Sequence, residues 1–250
     1  MSKPPVTDTP TSTTLSEKPQ FTVIVPAAGV GKRMQADRPK QYLPLLGKTL
    51  LECTLNQLIA HPQIKHIVVV IAEHDTYFAK LAIADAPWLT KVIGGAERAD
   101  SVLAGLNAVK NEPWILVHDA ARPCIAHSDI SKLLALHTTH QGGILAMPVR
   151  DTMKRSSKAT PNLVSHSETR DYLWHALTPQ FFPTQALQRS LSAALSSNAN
   201  ITDEASAIEY QGGSVTLVEG LTSNLKVTHP EDLQLAAYYL QQLHEKQTHG

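Results

Sequence analysis

Short runs rich in Val and Ile alternate along this chain with longer amphipathic stretches, and this rhythm restricts the fold more than any other feature. None of the runs alternates between apolar and polar positions; they are Thr22–Ala27, His66–Ala72, Lys91–Gly94, Trp114–His118 and Ile144–Val149. Continuous runs of this length are typical of strands covered on both faces of a parallel sheet. The intervening stretches predict helices at roughly 48–60, 74–85, 98–110 and 128–140. The order predicts an α/β fold with a doubly wound, mostly parallel sheet.

The rhythm resumes towards the end of the chain. A further strand is predicted at Ser214–Val218, and the last helix should begin near Pro230, because proline suits the first helical turn. Four apolar residues recur there at helical spacing and should face the core: Leu233, Ala236, Leu240 and Leu243. We therefore expect residues 21–250 to form a single domain.

One polar stretch, residues 151–170, interrupts the pattern between Ile144–Val149 and a second short apolar run at Tyr172–Leu177. The stretch contains a proline and has too little apolar surface to form a core. It predicts two extended segments around a turn at Ala159–Asn162, and so a β-arm that protrudes from the domain. Such an arm either covers a site or reaches another subunit.

Composition excludes several classes of protein. The chain has 250 residues, 22 basic and 22 acidic side chains and 42% hydrophobic residues. Balanced charge argues against a general nucleic-acid surface, and no apolar run approaches the ~18–20 residues that cross a membrane. Cys53 and Cys124 make no disulfide framework and should fill the core, so we expect a cytoplasmic protein. Residues 1–20, with five Thr, three Ser and four Pro, predict a disordered tail.

A glycine-containing loop follows the first predicted strand, with the sequence Pro-Ala-Ala-Gly-Val-Gly-Lys-Arg-Met at residues 26–34. Its spacing fits neither the dinucleotide-binding fingerprint nor the P-loop, in which Ser or Thr would replace Arg33. A plain tight turn is one interpretation. However, Arg33, Arg38 and Lys40 place three cations close to backbone N–H groups that could cradle phosphate, which favours a polyphosphate ligand.

The loop and the segment that follows it, Pro-Lys-Gln-Tyr-Leu-Pro-Leu at residues 39–45, resemble a known family. They are similar to the signature of the cytidylyltransferases that act on 2-C-methyl-D-erythritol 4-phosphate in the non-mevalonate isoprenoid pathway. Further blocks follow in the order of that family, at residues 94–102, 117–123, 148–152, 169–170, 177–180, 202–205 and 224–228. The resemblance covers essentially all of residues 21–240 and implies a Rossmann-like nucleotidyltransferase fold.

The resemblance implies a reaction in which a phosphate oxygen of the alcohol attacks the α-phosphorus of CTP and pyrophosphate leaves. The nucleophile already carries charge, so catalysis is mostly positioning and electrostatic stabilisation, with Mg²⁺ or another divalent cation as cofactor. It also implies that the arm at 151–170 interlocks two subunits, which predicts a homodimer that binds CTP and a polyol phosphate, with no nucleic-acid or membrane partner.

Site residues follow from the same resemblance. Arg33 and Lys40 are the implied catalytic cations at the α-phosphate. The implied CTP-binding residues are Ala27, Ala28, Gly29, Gly31, Gly95, Ala96, Ser101, Asp119, Ala120 and Lys226. Asp119 is also implied to lie near the metal ion, in direct or indirect contact with it. The implied residues for the phosphorylated alcohol are Thr152, Arg170, Thr178 and Arg122.

Residue types alone leave other interpretations open. Ser101 could serve only to cap its own helix, Asp119 to cap a turn at a strand end, and Arg122 to form an ion pair. Family members often carry Asp at the position of Ala96, so any contact through that side chain is absent here. Three alternative functions stay open: a pentitol-phosphate (ribitol 5-phosphate) cytidylyltransferase, a sugar-nucleotide pyrophosphorylase, and a non-catalytic nucleotide-binding regulator.

Overall fold

The computed structural model describes residues 18–29, 34, 37–139 and 141–248. Two of the predicted site residues, Gly31 and Arg33, lie outside these ranges, as do residues 1–17 of the predicted tail. Residues 18–20 are described and are exposed, without regular structure.

The strands of the described ranges are, in chain order, β1 (Phe21–Pro26), β2 (Pro44–Leu45), β3 (Lys48–Thr49), β4 (Ile64–Ile71), β5 (Leu89–Ile93), β6 (Trp114–Val117), β7 (Gly143–Pro148), β8 (Lys154–Arg155), β9 (His166–Ser167), β10 (Trp174–Pro183) and β11 (Thr216–Glu219). The α-helices are α1 (Leu50–Ile59), α2 (Arg98–Ala108), α3 (His127–Leu134), α4 (Thr184–Ser196), α5 (Glu204–Tyr210) and α6 (Pro230–Thr248). None of these helices combines the length and the apolar character needed to cross a membrane.

Within the described part of the chain, a seven-stranded sheet has the order β11-β7-β10-β6-β1-β4-β5. Its pairs are parallel except for those of β10, which runs antiparallel to both β6 and β7. The predicted doubly wound, mostly parallel sheet is therefore confirmed. The predicted run at 172–177 is too short, because β10 extends through Thr178, Pro179 and Gln180 to Pro183. Pro179 has no N–H for the sheet and usually signals the end or the edge of a strand.

Both faces of the sheet are covered, as the continuous apolar runs predict. Val23 and Val25 pack on one face with residues of α1 and α3, whereas Ile24 packs on the other with residues of α2 and α4. The predicted core face of α6 is confirmed, since Ala236 and Leu240 are buried and Leu233 and Leu243 pack against them.

The helix predicted at 74–85 is wrong. Only a 3₁₀ turn, Phe78–Lys80, forms there. The Asp75 carboxylate accepts hydrogen bonds from the backbone N–H groups of Tyr77 and Phe78, at 2.9 and 2.8 Å, and this closes a tight turn in place of a helical one. The helix predicted at 128–140 begins as expected but tightens into a 3₁₀ turn at Ala135–Thr138.

The polar stretch forms the expected arm. β8 and β9 pair antiparallel, with Lys154 opposite Ser167 and Arg155 opposite His166. Two apolar residues of the connecting turn, Leu163 and Val164, are 66% and 62% exposed. The arm therefore presents apolar side chains that the described part of the chain leaves uncovered.

Candidate functional site

A cavity of about 310 Å³ opens where the carboxyl ends of β1, β5 and β6 meet. Ligands of open α/β sheets bind at this edge. Many of the predicted site residues line the cavity together: Ala27, Ala28, Gly29, Lys40, Gly95, Ala96, Ser101, Asp119, Ala120 and Lys226. Other lining residues carry no predicted role: Pro26, Gln41, Glu97, Arg98 and Ala121.

Lys40 reaches the cavity from a 3₁₀ turn that spans Lys40–Tyr42. Its ammonium group donates a hydrogen bond to the carbonyl of Val227 at 2.8 Å. The buried Gln41 amide donates to the carbonyl of Ala27 at 2.6 Å and so ties this turn to the loop after β1. Arg38, by contrast, forms an exposed ion pair with Asp37.

The turn is also fixed from behind by an aromatic pair. Tyr42 stacks on Tyr77, and its hydroxyl donates to the Asp75 carboxylate at 2.7 Å. Burial and this hydrogen bond raise the pKa of Tyr42, so the hydroxyl stays protonated as a donor. Asp75, which prevents a helix at 74–85, thereby helps to hold Lys40 at the cavity.

The floor between β5 and α2 depends on close packing. A Cβ atom on Gly95 would lie 2.4 Å from the Cβ atom of Asp100, so only glycine fits against the first turn of this helix. Asp100 accepts a hydrogen bond from the backbone N–H of Glu97 at 3.0 Å. Ser101 is buried, and its hydroxyl donates to the carbonyl of Glu97 at 3.2 Å; the cap of α2 is Glu97, so Ser101 does not cap its helix, and its oxygen can still accept a hydrogen bond from a ligand.

The Asp119 carboxylate in the cavity wall is surrounded by three cations. Its Oδ1 atom lies 3.1 Å from Arg98 Nε, and its Oδ2 atom lies 2.8 Å from Lys226 Nζ and 3.5 Å from Arg122 Nε. Burial acts to raise the pKa of Asp119, but Arg98, Lys226 and Arg122 outweigh it and hold the pKa well below its usual value. Asp119 is therefore ionised with both oxygens oriented by cations.

Behind the wall, Arg98 continues to a second carboxylate. Its Nη1 and Nη2 atoms donate to the two oxygens of Glu204 at 2.7 and 3.1 Å. Both residues stand in the sequence blocks at 94–102 and 202–205, but no sequence signal indicates that side chains 106 positions apart would pair.

Thr178, predicted to bind the alcohol, is buried and supports Asp119 from the sheet. The Asp119 backbone N–H donates to the Thr178 hydroxyl at 3.0 Å, and this hydroxyl lies 3.2 Å from Nδ1 of His118. His118 Nε2 lies 2.9 Å from the carbonyl of Arg122, which can only accept. His118 is therefore the Nε2–H tautomer, with Nδ1 accepting from Thr178. Burial lowers the pKa of His118 to about 4, so the ring is neutral.

A smaller cavity of about 210 Å³ lies on the other side of this wall, and Arg98, Asp119 and Lys226 line both cavities. Arg122 and Thr178 line the smaller cavity only. Arg122 donates from Nη1 to the carbonyl of Asn224 at 2.7 Å, whereas its buried Nε atom makes no hydrogen bond. The two cavities therefore have room for two ligands, one on each side of Asp119 and Lys226.

Thr152 and Arg170 are not brought to either cavity. Both are exposed at the base of the arm, where Arg170 donates a hydrogen bond to the backbone carbonyl of Arg150.

The two cysteines behave as expected: burial raises the pKa of Cys53 to about 11 and that of Cys124 to about 12, and neither thiol lines the cavities.

The profile of the 2-C-methyl-D-erythritol 4-phosphate cytidylyltransferase family matches residues 21–242. The chain belongs to this family. A cytidylyltransferase of that name from Pseudoalteromonas atlantica is 60% identical over 229 residues, which cover 91% of this chain and 98% of the relative. Another from Escherichia coli is 54% identical and covers 90% of this chain and 96% of its own length.

Solved structures agree with the family assignment. The crystal structure of the 2-C-methyl-D-erythritol 4-phosphate cytidylyltransferase from Francisella tularensis superposes with a TM-score of 0.75 at 36% identity, covering 88% of this chain and 99% of the other. A crystal structure titled 4-diphosphocytidyl-2C-methyl-D-erythritol synthase gives a TM-score of 0.76 at 35% identity, covering 90% and 100%. The expected nucleotidyltransferase fold and cytidylyltransferase activity are thereby confirmed.

Enzymes of this family generally use a divalent cation. The described residues contain no group of three or more His, Cys, Asp or Glu side chains that could hold a metal ion. They do place the Asp119 carboxylate in the wall of the cavity. A single carboxylate fits Mg²⁺, which usually binds through one or two carboxylates together with substrate phosphates and water.

Proposed function

We propose that this chain transfers CMP from CTP to 2-C-methyl-D-erythritol 4-phosphate, giving 4-diphosphocytidyl-2-C-methyl-D-erythritol and pyrophosphate. The observation that carries the proposal is the convergence of the loop Ala27–Gly29, Lys40 and Lys226 with Asp119 on one cavity. Backbone N–H groups of a loop after a strand, with two ammonium groups opposite, are suited to a triphosphate.

In the proposed reaction, CTP occupies the larger cavity and the phosphorylated alcohol the smaller one. A phosphate oxygen of the alcohol forms a bond to the α-phosphorus, and the bond from that phosphorus to the β-phosphate oxygen breaks. Pyrophosphate leaves with the electron pair. No proton has to be removed from the nucleophile, which agrees with the neutral, fully hydrogen-bonded state of His118.

Lys40 and Lys226 are proposed to stabilise charge that develops around the α-phosphorus, together with Arg33 from the undescribed part of the loop. Fixed ammonium groups act strongly there because a cavity wall excludes water. The base of CTP would lie towards Gly95, Ala96 and Ser101, where backbone groups and one hydroxyl can distinguish cytosine from uracil. Gly31 and Ala120 complete the proposed CTP site.

A divalent cation, which we propose to be Mg²⁺, would be held by Asp119, directly or through water, and by phosphate oxygens. When bound, it would neutralise phosphate charge. Arg98 and Lys226 orient the Asp119 carboxylate, because they contact its two oxygens separately.

The alcohol phosphate is proposed to contact Arg122 and Thr178 from one subunit and Thr152 and Arg170 from a second copy of the chain. Three features support a twofold homodimer: the arm protrudes, its tip exposes Leu163 and Val164, and Arg170 lines neither cavity of its own chain.

A cytoplasmic location stays a prediction that cell fractionation would test.

The direct test is pyrophosphate release from purified protein with CTP, UTP or GTP and a panel of polyol phosphates. Turnover is expected with CTP and 2-C-methyl-D-erythritol 4-phosphate. Higher kcat/KM with ribitol 5-phosphate would favour the pentitol alternative, and preference for UTP or GTP would favour a pyrophosphorylase. Nucleotide binding without any turnover would indicate a regulator and contradict the proposal.

A further inference from the structure

Glu204 is a carboxylate that no step of the proposed reaction uses. It stands at the first position of α5 and is almost fully buried, with 1% of its surface exposed. A buried charge is costly unless a partner compensates for it. Burial acts to raise the pKa of Glu204, while Arg98 opposes that effect through two hydrogen bonds at 2.7 and 3.1 Å. The two side chains form a fork that fixes the plane of the guanidinium group.

Arg98 uses its donors on two carboxylates that lie on opposite sides of it. One N–H of Nη1 and one of Nη2 bind the two oxygens of Glu204, and Nε donates to Asp119, so two N–H groups of the Nη atoms remain for other acceptors. Arg98 also lines both cavities, where phosphate groups of CTP or of the alcohol would compete for the same donors. Without Glu204, the guanidinium group would be free to turn towards a substrate phosphate and release Asp119.

The geometry points to Glu204 as a positioning residue for the cytidylyl transfer: by holding Arg98, it fixes the Asp119 carboxylate between the two substrate cavities. The inference rests on the proposed function. It concerns a residue that touches no substrate, because Glu204 lines neither cavity. Alignment of two reacting groups is sensitive to such positioning, since a displacement of about 1 Å can lower a rate by about 10²-fold.

The test compares Glu204→Gln with Glu209→Gln, the same change at an exposed position of α5. Glu204→Gln is expected to lower kcat by at least about tenfold while changing KM for CTP by less than about threefold, because alignment rather than binding is lost. Glu209→Gln should match the wild type. A kcat for Glu204→Gln within about twofold of Glu209→Gln would overturn the inference.

A double-mutant cycle separates positioning from general destabilisation. If Glu204 acts through Arg98, the variant carrying both Glu204→Gln and Arg98→Met should have the same kcat as Arg98→Met alone. Multiplied losses would overturn the inference. Glu204→Asp, which keeps the charge but shortens the side chain, should recover part of the activity lost in Glu204→Gln. Equal kcat values for the Asp and Gln variants, both below wild type, would show that the charge is not what matters and would contradict the proposal.

Two controls keep the result interpretable. If Glu204→Gln does not fold, the double variant is compared with Arg98→Met instead, because removal of both charges of a buried pair can be nearly neutral for stability; a lower kcat for the double variant would then contradict the inference. The wild type is assayed first in every series. An inactive wild type would refute the proposed function, whereas an active wild type with an equally active Glu204→Gln variant would refute this inference alone.

Discussion

Three cations surround Asp119, and their distances from it differ enough to suggest different tasks. Lys226 at 2.8 Å and Arg98 at 3.1 Å each hold one carboxylate oxygen, whereas Arg122 Nε at 3.5 Å lies further away and keeps a donor free of hydrogen bonds. Arg122 therefore holds the Asp119 carboxylate less tightly than Lys226 and Arg98 do.

Lys40 gives the first prediction at the scale of single residues. Lys40→Ala should lower kcat by about 10²-fold or more and change KM for CTP much less, because the stabilised charge develops mainly in the transition state. Steady-state pyrophosphate release measures both values. Lys48→Ala, which removes an exposed lysine of the neighbouring strand β3, should be indistinguishable from wild type. A raised KM with unchanged kcat would refute the catalytic role.

His118 gives a prediction about pH. Burial lowers its pKa from 6.5 to about 4 in the folded protein, so the unfolded chain binds a proton more readily between these values. The neutral His118 therefore contributes fully to the free energy of unfolding above pH 6.5. This contribution is lost as the pH falls towards 4, and the loss reaches about 3 kcal/mol. Urea unfolding between pH 7 and 4 would measure the loss in the free energy of unfolding.

Two variants isolate this contribution. His118→Asn should weaken the acid dependence, because asparagine can accept a hydrogen bond from Thr178 without titrating. His74→Asn, the same change at an exposed position, should leave it intact. Some dependence should persist in His118→Asn, since burial also lowers the pKa of His61 to about 4. An unchanged pH profile in His118→Asn would show that the histidine is not responsible.

At the scale of elements, α1 shows how one side chain can join two segments. Thr49 and Glu52 form a reciprocal cap at its start, and the other oxygen of Glu52 accepts a hydrogen bond from the backbone N–H of Ala82 at 3.1 Å. Thr49→Ala should lower the free energy of unfolding by about 1 kcal/mol. Glu52→Ala should lower the free energy of unfolding by more, about 2 kcal/mol, because this change also leaves the Ala82 N–H without its partner. Equal losses in the two variants would show that the bond to Ala82 contributes nothing.

The same scale shows what the sequence can and cannot predict. Strands β1, β4, β6 and β7 are found where continuous apolar runs predict them, since burial on both faces leaves a mark on most of their residues. The partly exposed edge strand β5 begins two residues before its predicted run. The 74–85 segment is missed because a carboxylate–backbone turn at Asp75 overrides its helical pattern. Helices α4 and α5 went unpredicted, and β10 was predicted too short, because its Thr178 and Gln180 are polar groups that the fold buries with partners.

The candidate site divides in the same way. The cavity gathers the loop after β1, Lys40 and Asp119 because the ends of parallel strands meet at one edge, which the element order alone implies. Gln41, Arg98 and Glu204 were not singled out, because their importance depends on hydrogen bonds between distant segments. The Arg98–Glu204 pair joins two helix starts that no local pattern places side by side.

At the scale of the whole molecule, the arm predicts that each site is built from two chains. Arg170→Ala should raise KM for the phosphorylated alcohol by about tenfold or more and leave KM for CTP largely unchanged. At an alcohol concentration well below the raised KM, mixing the two impaired variants Lys40→Ala and Arg170→Ala should increase activity after subunit exchange, because one site of each mixed dimer then contains both residues. Co-expression of the two variants ensures that exchange occurs.

The complementation test has a clear opposite outcome. If the protein sediments as a monomer under assay conditions and is fully active there, the shared site is refuted. Arg155→Ala, a change in the exposed arm strand β8 next to Glu168, provides a control for damage to the arm itself. If it raises KM for the alcohol as much as Arg170→Ala does, the effect belongs to the arm's shape rather than to the Arg170 guanidinium group.

The position of β10 in the sheet has a consequence for synthesis on the ribosome. β10 lies between β6 and β7, both of which precede it in the chain, so these two strands cannot take their final places until residue 183 has emerged. Asp119 then gains Thr178 as a partner, but Glu204 and Lys226 follow later still. A nascent chain therefore carries the loop after β1 long before it can perform chemistry, and catalytic competence is acquired only once Lys226 has emerged.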